Sequence, residues 1–203
     1  MKAHIIIQAR MGSTRLPGKV MREVRGKPLL GWLLDRLKTA EIPDRIIVAI
    51  PECDFEGKLG HYLASRRDVD VVSGPEDDVA GRFALVLRFF PCDAFVRICA
   101  DSPLLDGKIV DNALEDTSPG QFGFFSYDVP GSSVEVMDSE MFLSALDEMD
   151  AEEREHVTLY WKRRLSLVVD TEEDFQRVAG LIESFDDEPG DLDTCLNVLA
   201  QQL

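Results

Sequence analysis

Three cations lie close together near the start of the chain, in the segment Gln8–Val20, QARMGSTRLPGKV. Arg10, Arg15 and Lys19 alternate there with glycine, serine and threonine, directly after an apolar run of isoleucines. Glycine-rich turns that follow a strand expose backbone N–H groups to anions, and nearby cations add charge. The segment therefore predicts a phosphate-binding loop.

The spacing within this segment excludes the commonest phosphate-binding loop. A P-loop has four residues between its glycines and a Ser or Thr after the lysine, which holds magnesium. Here five residues separate Gly12 from Gly18, and Val20 follows Lys19. We therefore expect side-chain cations to hold a triphosphate together with the backbone, and a metal ion to be held elsewhere.

The charge distribution restricts the class of ligand. The formal net charge is −16, yet residues 1–27 contain seven Lys and Arg residues against Glu23 alone. An acidic surface around one basic segment would repel a long polyanion. We expect a small anionic ligand and no nucleic-acid partner.

The elements that position this loop alternate between strand and helix. Four β-branched runs are each followed by a helical pattern, a typical signature of parallel strands joined by crossover helices. These runs are Ile5–Ile7, Arg45–Ile50, Val69–Val72 and Ala94–Ile98. Ligands of such sheets bind beyond the carboxyl ends of the strands. The predicted loop lies at that edge.

Two aspartates are predicted at strand ends. Asp101 follows the fourth run, and Asp170 follows Leu165–Val169, which has the composition of a further strand. Mg²⁺ is commonly held by one or two carboxylates together with substrate phosphates. Each residue also has a structural interpretation, since Asp101 suits a turn and Asp170 suits a helix cap. Together with the phosphate-binding loop, the pair favours a magnesium site.

The rest of the second half is predicted to contain a strand over Ser133–Met137, a helix that is capped by Ser139 and runs to about Met149, and another helix over Ala151–Arg164. Thr171 and Asp174 have the spacing of a capping box at the start of a further helix.

Length and composition favour one substantial core. We expect a domain over residues 1–182, followed by an acidic linker and a C-terminal helix over 183–203 that packs on the same domain. The four cysteines lack metal-binding spacing, which favours reduced thiols. With no signal-peptide core and no membrane-length apolar run, the protein is expected to be soluble, cytoplasmic and without a membrane partner.

Five segments resemble the cytidylyltransferase family, which includes the CMP-sugar synthetases for 3-deoxy-manno-octulosonate and neuraminic acid. The resemblance is closest to the spore coat polysaccharide biosynthesis protein F branch and covers residues 4 to about 180. The segments are QARMGSTRLPGKV (8–20), SGPEDDVAGRF (73–83), VRICADSPLLD (96–106), EREHVTLY (153–160) and VVDTEEDF (168–175).

This resemblance implies a Rossmann-like, GT-A-like nucleotidyltransferase fold with a mostly parallel sheet flanked by helices. It implies CTP as the nucleotide, held at its triphosphate by Arg10, Arg15 and Lys19, and Mg²⁺ held by Asp101 and Asp170. These five residues are the expected catalytic residues. The expected nucleotide-binding positions are Gln8, Ala9, Arg10, Gly12, Ser13, Arg15, Lys19, Gly74, Asp77, Arg82 and Cys99.

For the acceptor, the resemblance implies that His156 faces the sugar. A solvated imidazole on a polar helix is the alternative for this residue. Glu135 is an expected substrate-binding residue that could complete the metal shell, and an outward position in solvent is its alternative. A homodimer is compatible with the family, although the segment between Leu114 and Ser133 is short.

The expected reaction is transfer of CMP from CTP to a sugar or sugar acid, with release of pyrophosphate, for cell-surface polysaccharide synthesis. In the sialate and octulosonate enzymes a glutamine commonly precedes the first metal aspartate by two residues, where this chain has Cys99. Branch members often have an aspartate at the position of Ser133. These departures leave two alternatives, a pyrophosphorylase that uses another nucleotide and a sugar phosphate, and a nucleotide-binding relative without turnover.

Overall fold

A computed structural model of the chain describes residues 1–117, 122–127, 129–185, 189 and 192–201. These residues divide into two units, Met1–His156 and Val157–Leu203. The first unit contains the sheet and the phosphate-binding loop. The domain boundary expected at residue 182 falls inside the second unit.

A six-stranded sheet forms the centre of the first unit. Its strands are β1 (Ala3–Gln8), β4 (Arg45–Pro51), β5 (Asp70–Gly74), β6 (Ala94–Cys99), β7 (Phe122–Phe125) and β8 (Val134–Asp138). They lie in the order β5-β4-β1-β6-β8-β7. Strands β5, β4, β1 and β6 are parallel, whereas β8 runs antiparallel to both β6 and β7. The mostly parallel sheet predicted from the sequence is confirmed.

Helices follow the parallel strands, as the alternating pattern predicts. Those of the first unit are α1 (Leu29–Leu37), α2 (Glu52–Phe55), α3 (Lys58–Ala64), α4 (Val79–Phe89), α5 (Gly107–Asp116), α6 (Ser139–Ala145) and α7 (Ala151–His156). A short 3-10 helix, Lys19–Met21, and a small hairpin of β2 (Glu23–Val24) and β3 (Lys27–Pro28) connect β1 to α1.

The two faces of the sheet differ in chemistry. Side chains alternate between faces along a strand, so Ile5 and Ile7 lie on one face, where they pack in a core with leucines of α1. The other face carries an aromatic cluster in which Phe95 meets Phe83 and Phe142 at ring-centroid distances of 5.7 and 5.3 Å. Near the carboxyl ends of β1 and β6 this second face becomes polar. There Gln8 of β1 and Arg97 of β6 lie on the same face as Phe95, and their side chains are hydrogen-bonded to each other.

Three predictions for the second half need correction. The helix that starts near Ser139 ends at Ala145, and its N-cap is Asp138, whose carboxylate accepts from the Met141 amide at 3.0 Å. The single helix expected over 151–164 is instead two helices, α7 and α8 (Leu159–Arg164), because Val157 has a φ of 52°, which interrupts the helical backbone.

The strand predicted at Leu165–Val169 is wrong. These residues form no helix or strand, and Val168 and Val169 are 59% and 48% exposed. After them in the chain, α9 (Glu172–Glu183) begins with the capping box of Thr171 and Asp174, so that prediction is confirmed. The second unit ends with α10 (Leu192–Gln201).

Among the helices of the described residues, none has both the length and the apolar character needed to span a bilayer. All four cysteines are free thiols.

Candidate active site

The loop after β1 is closed by backbone hydrogen bonds. The Met11 carbonyl accepts from the amides of Ser13 and Gly18, at 3.0 and 2.9 Å. Gly18 has a φ of 66°, a left-handed conformation that glycine adopts without a steric penalty. The Met11 amide in turn donates to the Asp54 carboxylate at 2.8 Å. These contacts hold the loop at the carboxyl end of β1, where the sequence predicts it.

The three cations of the loop have different surroundings. The Lys19 ammonium contacts the Asp101 carboxylate at the end of β6, and their side chains are 27% and 44% exposed. The guanidinium of Arg10 lies 3.6 Å from Glu155 of α7. Arg15 is exposed and makes no ion pair with any described residue. Arg15 is therefore available to an anionic ligand without first losing a partner.

Seven residues from three elements surround a cleft of about 130 Å³ beside the loop. They are Gln8 at the end of β1, Ala9 and Arg10 after it, Val79 and Arg82 of α4, and Glu155 and His156 of α7. The exposed His156 thus lies at the same cleft as Arg10. Residues far apart in the sequence meet here because α4 packs against α7.

Arg82 is almost completely buried and stabilises the segment that precedes its own helix. Its Nη1 donates to the carbonyls of Pro75 and Glu76, at 2.5 and 2.8 Å. Burial lowers the pKa of Arg82, and its Nε has no hydrogen-bond partner among the residues that the structure describes. A side chain at Gly74 would come within 3.0 Å of the Arg82 Cγ, so the glycine allows this close approach. Arg82 therefore shapes the segment over residues 74–82.

Within the same segment, Asp78 rather than its neighbour Asp77 makes the structural contacts. Asp78 caps α4 by accepting from the Gly81 amide at 2.7 Å, and it accepts two bonds from Arg154 at 3.1 and 2.7 Å. The predicted nucleotide contact Asp77 is exposed. Its role in binding stays a prediction.

The structure excludes one of the two interpretations of Glu135, the outward position in solvent. Glu135 is not a solvated outward residue but a buried one, 6% exposed, in an ion pair with Arg97. Arg97 also donates from Nε to the Gln8 side-chain oxygen at 3.0 Å. No sequence motif indicated a role for Arg97, although a charged residue within the apolar strand Ala94–Cys99 is a signal that could have identified it.

Cys99 is the last residue of β6, and Asp101 lies in the turn that follows the strand. Burial raises the pKa of the Cys99 thiol, which keeps it neutral at physiological pH. A cavity of about 300 Å³ adjoins Asp101 and extends along residues 101–106 to Tyr127 and Ser132. Asp101 therefore lies between the loop cation Lys19 and an open cavity.

Asp170 is exposed and follows no strand, so the strand-end argument for placing it beside Asp101 is wrong. It is also not the cap of α9, because Thr171 fills that position and Asp170 only donates its backbone N–H to Asp174 at 3.2 Å. The metal role of Asp170 rests on the family resemblance and stays a prediction. Within the described ranges, no group of three or more His, Cys, Asp or Glu residues is arranged to hold a metal ion.

The parallel sheet, the cationic loop after its first strand and the carboxylate at the end of β6 define an α/β protein of the nucleotidyltransferase class. The chain belongs to the cytidylyltransferase family, whose sequence profile it matches over residues 4–194. This match includes most of the second unit, which therefore belongs to the family region as well.

Relatives and solved structures agree with this assignment. The chain is 26% identical to the spore coat polysaccharide biosynthesis protein SpsF of Bacillus subtilis, over 91% of this chain and 88% of that protein. It is 34% identical to the 3-deoxy-manno-octulosonate cytidylyltransferase of Bdellovibrio bacteriovorus, over 55% of this chain and 44% of that enzyme. A cytidylyltransferase structure from Leptospira borgpetersenii has a TM-score of 0.71 at 26% identity, with 100% of this chain and 95% of that chain covered.

Proposed function

We propose that this protein transfers CMP from CTP to a sugar or sugar acid, releasing pyrophosphate, in the synthesis of a cell-surface polysaccharide. Its membership of the cytidylyltransferase family supports the reaction class. The names of two relatives, a spore coat polysaccharide biosynthesis protein and a 3-deoxy-manno-octulosonate cytidylyltransferase, support the type of acceptor. The structural observation that carries the proposal is the contact between Lys19 of the loop and Asp101 at the end of β6.

This contact matters because the reaction needs cations and a carboxylate at one place. Nucleotidyl transfer develops negative charge on the α-phosphate and on the departing pyrophosphate, and preorganised cations stabilise that charge. Arg10, Arg15 and Lys19 come from one loop whose backbone is held by the Met11 carbonyl. In the proposed reaction Arg15 and Lys19 bind the leaving pyrophosphate. Arg10 binds an anionic group on the side of the loop that faces the cleft.

Asp101 fits the metal that the family implies. Its carboxylate is partly exposed, contacts a loop cation and borders a cavity, so an ion held there would be open to substrate oxygens. Oxygen ligands are those that Mg²⁺ prefers, and one or two carboxylates are sufficient when phosphates complete the shell. When bound, Mg²⁺ would neutralise phosphate charge and acidify the acceptor hydroxyl. In this proposal Asp101 holds the ion.

The acceptor is assigned to the side of the loop that carries His156. This imidazole is exposed at the cleft beside Arg10, so it can donate to a hydroxyl or carboxylate of the acceptor. An acceptor group in the cleft would also contact the Arg10 guanidinium. Because this group is cationic, it would bind an acceptor carboxylate more strongly than a neutral hydroxyl.

The preferred nucleotide has a second candidate, which Cys99 motivates. A neutral thiol is a weak hydrogen-bond donor and acceptor, so it discriminates poorly between the bases of different nucleotides. A pyrophosphorylase that uses UTP or dTTP with a sugar phosphate is therefore the alternative.

The test is pyrophosphate release, measured over four nucleoside triphosphates and a panel of sugar acids and sugar phosphates. We expect the highest rate with CTP and a sugar or sugar acid. A higher rate with UTP or dTTP and a sugar phosphate would select the alternative. Saturable CTP binding without pyrophosphate release for any acceptor would contradict the enzyme and indicate a binding protein.

A further inference from the structure

A buried ion pair reaches the loop through the side chain of Gln8. Gln8 is the last residue of β1, and its side-chain Oε1 accepts from the Arg97 Nε of β6 at 3.0 Å. Arg97 also contacts the Glu135 carboxylate of β8 through Nη1. The Arg97 and Glu135 side chains are only 10% and 8% exposed, and they are opposite each other in the β6–β8 register.

The chemistry of arginine determines how Gln8 is oriented. A guanidinium has N–H donors and no acceptor, so only the oxygen of the Gln8 amide can face Arg97. The amide nitrogen Nε2 is then the free end. It has no hydrogen-bond partner among the described residues, and Gln8 lines the cleft that also contains Arg10 and His156.

Glu135 makes this arrangement stable. A buried guanidinium without a counter-charge is strongly unfavourable, whereas a hydrogen-bonded carboxylate compensates much of that cost. We propose that Arg97 and Glu135 are positioning residues that fix the Gln8 amide, so that Gln8 presents an N–H donor to a ligand oxygen in the cleft. This inference rests on the proposed function, because it assigns positioning residues to the same active site.

The ligand atom in question is an anionic oxygen. Gln8 Nε2 and the Arg10 guanidinium are donors at the same cleft, and the nearby Glu155 carboxylate already faces Arg10 at 3.6 Å. A phosphate or carboxylate oxygen meets both donors. It can come from the triphosphate of the nucleotide or from the anionic group of the acceptor, and binding measurements separate the two sources.

The test is a double-mutant cycle on kcat/KM. Gln8→Ala is expected to lower kcat/KM about 10-fold, the usual effect of losing a hydrogen bond to a charged group. In the background Arg97→Met/Glu135→Leu, the same Gln8→Ala change is expected to cost less than about 2-fold, because the amide is no longer oriented. Replacing both partners of a buried pair by apolar residues generally preserves the fold. The matched control is Arg45→Met/Asp70→Leu, which removes an ion pair between β4 and β5. There, Gln8→Ala should keep its 10-fold effect.

The Kd for CTP and the KM for the acceptor, measured on the same variants, identify the molecule that provides the oxygen. A Gln8→Ala protein with a raised Kd for CTP and an unchanged acceptor KM assigns the oxygen to the triphosphate. The reverse pattern assigns it to the acceptor. A 10-fold loss from Gln8→Ala in both the parent and the Arg97→Met/Glu135→Leu background would overturn the positioning role, as would no loss in either.

A second measurement does not depend on turnover. In the ligand-free protein, ¹⁵N relaxation of the Gln8 side-chain amide should show an ordered group, and in Arg97→Met/Glu135→Leu a mobile one. A mobile Gln8 amide in the parent protein would overturn the inference, whether or not the protein is an enzyme. An ordered Gln8 amide in a protein that releases no pyrophosphate would instead contradict only the proposed function.

Discussion

Removing the Lys19 ammonium tests how much this cation contributes to CTP affinity when it must first leave the Asp101 carboxylate. In Lys19→Met the contact with a phosphate is lost, and a hydrogen bond between charged groups contributes about 1.5–3 kcal/mol. The Lys19–Asp101 pair must open before Lys19 reaches a phosphate, and partly exposed pairs contribute about 0–1 kcal/mol. The net loss of CTP affinity is therefore about 0.5–3 kcal/mol, or roughly 2- to 150-fold in Kd.

Arg15 provides the comparison, because it has no ion-pair partner among the described residues to release. Arg15→Ala should lose the full 1.5–3 kcal/mol, or roughly 10- to 150-fold in Kd. We thus expect a larger effect from Arg15→Ala than from Lys19→Met. Arg22→Ala, which removes another exposed cation of the same basic segment, is the control and should leave the Kd unchanged.

Calorimetric titration with CTP, with and without Mg²⁺, also separates the two roles of Asp101. Without Mg²⁺, Asp101→Asn frees Lys19 and should bind CTP up to about 5-fold more tightly, the upper bound for an exposed pair. With Mg²⁺, the same variant should lose nearly all pyrophosphate release. If Asp101→Asn keeps parental turnover in Mg²⁺, the carboxylate is only the partner of Lys19 and the metal assignment is refuted. An unchanged Kd in Arg15→Ala would remove that residue from the site.

Three further predictions concern the two units separately. Asp170→Asn should nearly abolish pyrophosphate release while leaving the melting temperature within about 1 °C, because Thr171 and not Asp170 caps α9 and exposed substitutions change little. Parental activity at every Mg²⁺ concentration would make Asp170 a structural residue. Burial lowers the pKa of His4 below its usual 6.5, so the neutral form is favoured in the folded state. The free energy of unfolding should then fall as the pH drops from 7.5 to 5, most steeply below about 6.5, and less so in His4→Leu. If urea titrations give parallel pH profiles for both proteins, the buried imidazole is not the cause. Finally, Glu135→Leu alone should destabilise the fold by about 3–5 kcal/mol, because it removes the carboxylate that the buried Arg97 guanidinium contacts, whereas the added change Arg97→Met should restore most of the loss. Equal urea midpoints for the single and double variants would contradict this account.

The parts of the fold that the sequence predicted are those encoded by local pattern. The four β-branched runs became the parallel strands, and the loop segment lies at the end of β1 as expected. The capping box at Thr171 also formed, since its two residues are three apart and need no distant partner. The family resemblance added the reaction class, which the comparison with known proteins supports.

Tertiary structure decided the features that depend on distant partners. Leu165–Val169 has the composition of a strand, yet a strand forms only where a neighbouring edge accepts its backbone hydrogen bonds, and composition does not reveal such an edge. The partner of Glu135 was equally hidden, because Arg97 lies 38 residues earlier and meets it only through the β6–β8 register. His156 reached the cleft of Arg10 because α7 packs on α4. Contacts between residues far apart in sequence are fixed by packing and register, which a local pattern does not encode.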